Sequence, residues 1–296
     1  DRQEFARWTY YDMVRDLTAF AKKYNPDFHV CYNKGHLGYL DKPVKEDYSY
    51  FSFESLPGVE WGYLDFPVSA KYMRNFGKEC LGLTSRFHTE WGDFHAFRNE
   101  AAMEYEVFSM LAHGCKCTIG DQMDYWGKLN TDMYKQIGRV YKSVEEKEPW
   151  CENAKPISEI GVFTAEEFYA TGVAGHIPGA SEGVARLLME LGYQFDFIDS
   201  TLDFDKYRLL ILPDVIPVDE ELRDKLSTYL KKGGKLLVSY QSGLDRAHQK
   251  FMIPELAVVY RGEAPYSPDF IWPKEHLSKD LADAEHVMYD KGTLVE

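Results

Sequence analysis

The 296-residue chain lacks an apolar run of the roughly 18 residues that a membrane-spanning helix needs, so no such span is expected. Basic residues are also few: 34 Lys and Arg face 48 Asp and Glu, a net charge of −14. Phosphate backbones and anionic lipid surfaces call for basic patches, and none stands out; nucleic-acid and membrane partners are therefore excluded, and neutral or cationic ligands fit better. Cysteine is scarce, with five residues, odd in number and scattered. That count builds no disulfide framework, and Cys115-x-Cys117 has no metal-binding partners at useful spacing, so buried free thiols and no metal site are expected. A Walker-type glycine loop and a His-Glu-x-x-His helix are both missing. The chain starts at Asp1 and stops at Glu296 in mid-pattern. Both ends read as cut, so a leader, if the gene encodes one, lies outside, and a cytoplasmic location is the expectation left standing.

Hydrophobic residues make up 45% and aromatics 15%, including 21 tyrosines and 6 tryptophans. This is globular composition, and aromatic faces of this kind stack on sugar rings as well as filling cores. Residues 5–25 carry helix formers closed by Asn25-Pro26. Strands follow at 28–32, 50–53, 80–84 and 115–119, with helices at 69–77 (Lys and Arg on its polar side), 99–113 and 132–144 between and after them. Strand and helix alternating in this way implies parallel βα units, and four such units make the C-terminal half of an eight-stranded (β/α)8 TIM barrel over residues 1–150. A second α/β series begins after Lys155-Pro156: strands at 159–163, 195–198, 209–212 and 235–239, and helices at 181–191, N-capped by Ser181, and at 219–232. It reads as a flavodoxin-like, class I amidotransferase-like doubly wound domain over 156–245. That domain has no cysteine after Cys151 to serve as a nucleophile, so it suits subunit contacts better than catalysis. Residues 246–296 open a further module.

Polar clusters follow the first series of strands. Glu54, Glu90, Asp93 and Asp121 are the acids there, and glycosidic cleavage needs two carboxyl groups facing across a cleft, one to protonate the leaving oxygen and one to attack or activate water. Any one of them could instead cap a helix or pair with a cation. Asp121 stands out because Gly120-Asp121-Gln122 sets two polar side chains after a glycine that allows close approach. Arg86, His88 and Trp91, within a few residues of one another, together with Gln122, Asn33 and His36, are candidate sugar contacts. No cofactor is needed for such chemistry.

The segments Glu54-Ser-Leu-Pro57, Trp61-Gly-Tyr63, Thr84-x-Arg-Phe-His88, Trp91-Gly-Asp-Phe94 and Ile119-Gly-Asp-Gln122 resemble the barrel of the family 151 α-L-fucosidases and the group catalogued as hypothetical glycosyl hydrolase 6. The domain after it is similar to the β-galactosidase trimerisation domain of glycoside hydrolase family 42. The resemblance covers most of residues 1–245 and implies a retaining glycosidase, a carbohydrate substrate, a homotrimer assembled through 156–245 and a further β domain. It also implies an aspartate nucleophile after the fourth barrel strand, upstream of Asp1, so that the chain alone should be inactive. Relatives often show His-Pro after the Gly-Asp-Gln, where this chain has Asp124-Tyr125. A β-galactosidase would instead place its glutamate nucleophile near the seventh strand, where Glu90 stands. The rival from another class is a non-catalytic sugar-binding or assembly protein on the same fold.

Overall fold

The computed structural model describes residues 2–58, 61–89, 91–93, 95–169, 178–274 and 278–296. The chain divides into two compact units, Asp1–Tyr207 and Arg208–Glu296, each mixing helices with strands. The first unit runs α1 (Arg2–Tyr24), a 3-10 helix over Tyr39–Asp47, β1 (Phe51–Glu54), α2 (Asp65–Met73), β2 (Cys80–Ser85), α3 (Glu100–Ala112), β3 (Lys116–Gly120), α4 (Thr131–Glu145), the single turn α5 (Glu148–Cys151), β4 (Ile160–Phe163), α6 (Gly179–Glu190) and β5 (Phe195–Ile198). The second unit holds β6 (Leu209–Leu212), α7 (Glu220–Lys231), β7 (Lys235–Val238), β8 (Tyr260–Glu263), β9 (Asp269–Ile271), β10 (His286–Met288) and β11 (Thr293–Val295). Parallel pairing joins β1 to β2, β2 to β3, β4 to β5 and β6 to β7, as expected of βα units, whereas β8–β11 and β9–β10 are antiparallel.

Local chemistry starts the helices where the sequence places it. Asn99 Oδ1 accepts the Ala101 amide at 2.9 Å, Asn130 Oδ1 the Met133 amide at 3.1 Å, and Asp219 Oδ1 the Leu222 amide at 3.0 Å, each satisfying an orphan donor of a first turn. Met103, Val107, Met133, Ile137, Val140 and Val144 then join α3 to α4 in one buried cluster, each contributing about 1.5–3 kcal/mol of transfer free energy.

Strand alternation decides what faces the site. Phe53 stacks on Phe66 of α2, Thr84 donates to Glu106 of α3, and Cys117 and Ile119 pack on the α3–α4 cluster. These positions form the helix-facing side of the three-stranded sheet. The period of two turns Ser52, Glu54, Leu81, Leu83, Thr118 and Gly120 to the opposite face.

Several expectations need correction. Residues 28–32 form no strand: Val30 spends its backbone groups on Ser49, donating to Oγ at 2.9 Å and accepting the amide at 2.8 Å, and β1 is met just after them, where Lys34 makes an isolated parallel bridge to Phe53 and Gly35 O accepts the Glu54 amide. Helix α6 begins at Gly179, directly after the extended Pro178, so Ser181 lies within its first turn, buried, instead of capping it. The cationic side expected for α2 is wrong as well. Every residue of α2 is buried, because the helix packs on β5 in addition to the first sheet. Lys71 accordingly lies over the Phe195 ring at 4.2 Å, and burial drives its ammonium pKa down to about 8.

Residues 156–207 pack within the first compact unit and 208–245 within the second. Arg74 grips Asp196 at 2.5 Å, Tyr72 donates to Asp199 at 2.7 Å and Lys42 to the same carboxylate at 2.7 Å. In α1 the buried positions are Val14 and Thr18, while Phe5, Trp8, Leu17 and Phe20 are exposed. Thr18 bonds the Tyr32 hydroxyl at 2.7 Å and Tyr10 the Tyr48 hydroxyl at 2.5 Å, so α1 docks through its hydroxyl-bearing side.

Candidate active site

The carboxyl ends of β1, β2 and β3 lie side by side and are closed by backbone bonds, from the Ser55 amide to Leu83 O at 2.7 Å and from the Arg86 amide to Gly120 O at 3.0 Å. Across the face turned away from the helices runs a row from Gly35 through Glu54 to Leu83: the Glu54 amide donates to Gly35 O at 3.0 Å, and Glu54 is registered opposite Leu83. Two indoles flank this row. Trp61 lies against Gly35, with its ring 2.5 Å from where a Cβ would stand, and Trp91 lies equally close over Gly120, beside Leu83. Only glycine admits a ring so near the backbone at these two places.

Glu54 is 9% exposed. Among the described residues no hydrogen bond or ion pair engages its carboxylate. Buried carboxylates are ordinarily paired, so an unpaired one at the carboxyl edge of a parallel sheet has the character of a functional group.

Asp121 is placed differently. Its Oδ1 accepts Arg86 Nε at 2.6 Å and the Gln122 amide at 2.7 Å, and the Arg86 guanidinium, 3% exposed, lies 4.2 Å over the Phe87 ring and donates to Ala96 O at 3.3 Å. The pair ties the end of β3 to the end of β2. Beneath it Glu106 accepts from Thr84 and from Arg98, and Arg98 Nη1 also donates to Ser85 O at 3.0 Å. Burial pushes the Glu106 carboxyl up to about 7, against the opposing pull of Thr84 and Arg98. Sequence reading missed this group because nothing near position 106 in the chain marks it.

The remaining candidates spread out. Asp93 accepts from Thr89 Oγ1 at 3.1 Å and shapes the loop after β2. His88 and Asn33 are exposed, and Gln122 is half-buried. Glu90 and Phe94 lie outside the described residues. Both ring nitrogens of His36 are engaged within the protein: Nε2 meets Glu166 Oε1 at 2.6 Å and Nδ1 meets Ser69 Oγ at 2.6 Å. Serine, imidazole and carboxylate stand here in the order of a nucleophile relay, but Ser69 is 1% exposed and Glu166 5%, so no substrate reaches the hydroxyl. Trp61 was not among the expected contacts, although Trp61-Gly-Tyr63 already marks it in the sequence.

Residues 186–256 match the β-galactosidase trimerisation domain. The chain as a whole is similar to α-L-fucosidase isoenzyme 2 from Paenibacillus thiaminolyticus, with a TM-score of 0.90 and 33% identity over 98% of this chain and 44% of that one. The fold is shared with β-galactosidase from Bacillus circulans sp. alkalophilus, at a TM-score of 0.75 and 12% identity over 98% of this chain and 49% of that one. Beta-galactosidase GanA of Bacillus subtilis (strain 168) is 21% identical over 188 residues, 60% of this chain and 28% of that protein. The chain thus spans less than half the length of each of these relatives. The resemblance read from the sequence is borne out in both of its parts, the fucosidase-like segment and the trimerisation domain.

Proposed function

We propose that this chain carries the acid/base and sugar-binding side of a glycoside hydrolase site acting on α-L-fucosides. Residues 1–150 are then the C-terminal half of a (β/α)8 barrel, 156–245 a flavodoxin-like domain that assembles a homotrimer, and 246–296 part of a further module. The observation that carries the reading is the unpaired, largely buried Glu54 carboxylate at the end of β1, on the strand face opposite the helices, with Trp61 packed on Gly35 and Trp91 on Gly120. A carboxyl in that setting donates a proton to the leaving glycosidic oxygen and later withdraws one from water, while indole faces hold the C–H face of the sugar. Asp121, fixed by Arg86, and the half-buried Gln122 supply hydrogen bonds to sugar hydroxyls; His88 and Asn33 stand at the rim, and Asp93 is the reserve acid. The attacking carboxylate is assigned to a segment outside this chain, and no cofactor is required. The higher identity to the α-L-fucosidase than to the β-galactosidases favours fucosides.

Hydrolysis of aryl α-L-fucoside and aryl β-D-galactoside by the gene product that carries this sequence tests the reading, with Glu54→Gln and Asp121→Asn alongside. Fucoside release lost in Glu54→Gln is the expected outcome. Galactoside release that survives in Glu54→Gln and disappears in Glu90→Gln would make Glu90 the nucleophile and support a β-galactosidase. Solution mass checks the trimer.

A further inference from the structure

The second unit contains a cleft of about 840 Å³ lined by the carboxyl ends of β6 and β7 and by the antiparallel strands after them. Asp214 and Tyr240 on its wall hold φ of +53° and +51°. Non-glycine residues in this left-handed region cost about 1 kcal/mol or more, and such strain gathers at ligand sites. Here it is held in place: Ser239 Oγ donates to Asp214 Oδ1 at 2.7 Å, and the Gln241 amide donates to Asp214 O at 3.0 Å.

Three carboxylates line the cleft, each with one oxygen already used. Asp214 Oδ1 takes Ser239, Asp269 Oδ1 takes the Phe270 amide at 2.8 Å, and Asp290 Oδ1 takes the Lys291 amide at 2.8 Å. The three Oδ2 atoms have no partner among the described residues. Thr293 Oγ1, from the same lining, is buried and also without a hydrogen bond. Trp272 presents a 53% exposed indole, anchored by Nε1 donating to Asp283 Oδ1 at 3.2 Å. Lys291, the one lining cation among the described residues, is turned toward Glu263 at 3.5 Å, so the described wall is acidic and repels anions.

Several vacant acceptors around a fixed aromatic face match a ligand that donates many hydrogen bonds and offers an apolar C–H face. We propose that this cleft binds a neutral sugar ring, stacked on Trp272 and hydrogen-bonded through Asp214, Asp269 and Asp290, as a subsite apart from the strand-end carboxylates of the first unit. The proposal rests on the glycosidase reading only for the choice of sugar.

Methionine-methyl NMR of the whole chain, titrated with L-fucose and with D-galactose, tests it, because Met288 lines the cleft and its resonance is assigned by Met288→Leu. A saturable Met288 shift at millimolar sugar is expected, lost in Trp272→Ala and weakened about tenfold in Asp269→Asn, the effect of losing one charged acceptor. Absence of a shift with both sugars overturns the proposal, as does a shift that Trp272→Ala leaves intact. A shift with tetramethylammonium alone would mark a cation site and overturn it equally. Because the Met288 shift does not depend on turnover, aryl-fucoside hydrolysis on the same samples separates failure of this cleft from failure of the glycosidase reading.

Discussion

His36 Nε2 stands 2.6 Å from Glu166 Oε1, a contact between groups 130 residues apart that joins the loop before β1 to the turn after β4. Burial opposes the charged imidazole, but Glu166 outweighs it with help from Asp65 and Asp41, so the His36 pKa lies above its ordinary 6.5. Burial likewise opposes the Glu166 carboxylate, and His36, the Tyr39 amide and Lys34 together hold its pKa below 4.5. A raised histidine contributes stability that is complete below 6.5 and lost as pH rises through its folded value; a depressed carboxylate contributes stability present above 4.5 and lost as pH falls. The pair is therefore strongest between these two values. Glu166→Gln strands a buried imidazole and should cost about 3–5 kcal/mol in urea denaturation near pH 6. His36→Gln should remove the part of the wild-type decline that sets in above 6.5.

Gly38 explains why the contact can form. A Cβ there would collide with Glu166 Oε2 and sit 2.7 Å from His36 Nε2. Gly38→Ala should destabilise the fold by about 1–3 kcal/mol, the usual cost of overpacking. The Glu166→Gln background should absorb part of that loss, and a double-mutant cycle measures the coupling.

Arg86→Met leaves Asp121 beside a hydrocarbon chain in place of a guanidinium. Loss of about 3–5 kcal/mol is expected, because a partly buried charge loses its partner. Arg86→Lys keeps the charge but loses the planar fork that reaches both Asp121 and Ala96, so it should fall between Met and wild type. Urea midpoints at constant m-value check the order.

Glu106 supplies a second pH signature. With its folded pKa raised to about 7 from an ordinary 4.5, its contribution is greatest below 4.5 and declines as pH rises through 7. Glu106→Gln should flatten the stability profile across that interval while keeping an acceptor for Thr84. Differences measured below 6.5, where the His36 contribution is still complete, isolate it. A profile parallel to wild type would show that Arg98 keeps Glu106 ionised throughout.

The sequence by itself determined the alternation of strand and helix, the parallel pairing that alternation requires, and helix starts at Asn99 and Asp219. Periodicity and capping act over a few residues, so they are legible without a structure. It also marked Glu54, Asp121 and Trp91 as strand-end residues. Only the tertiary structure decided which of them is held and which is open. Asp121 is gripped by Arg86, His36 is withdrawn by Glu166, and Glu54 remains unpaired at the end of β1. Those outcomes depend on which distant segments meet, how closely a ring approaches a glycine, and which carboxylate gains a partner, none of which any local run of residues encodes.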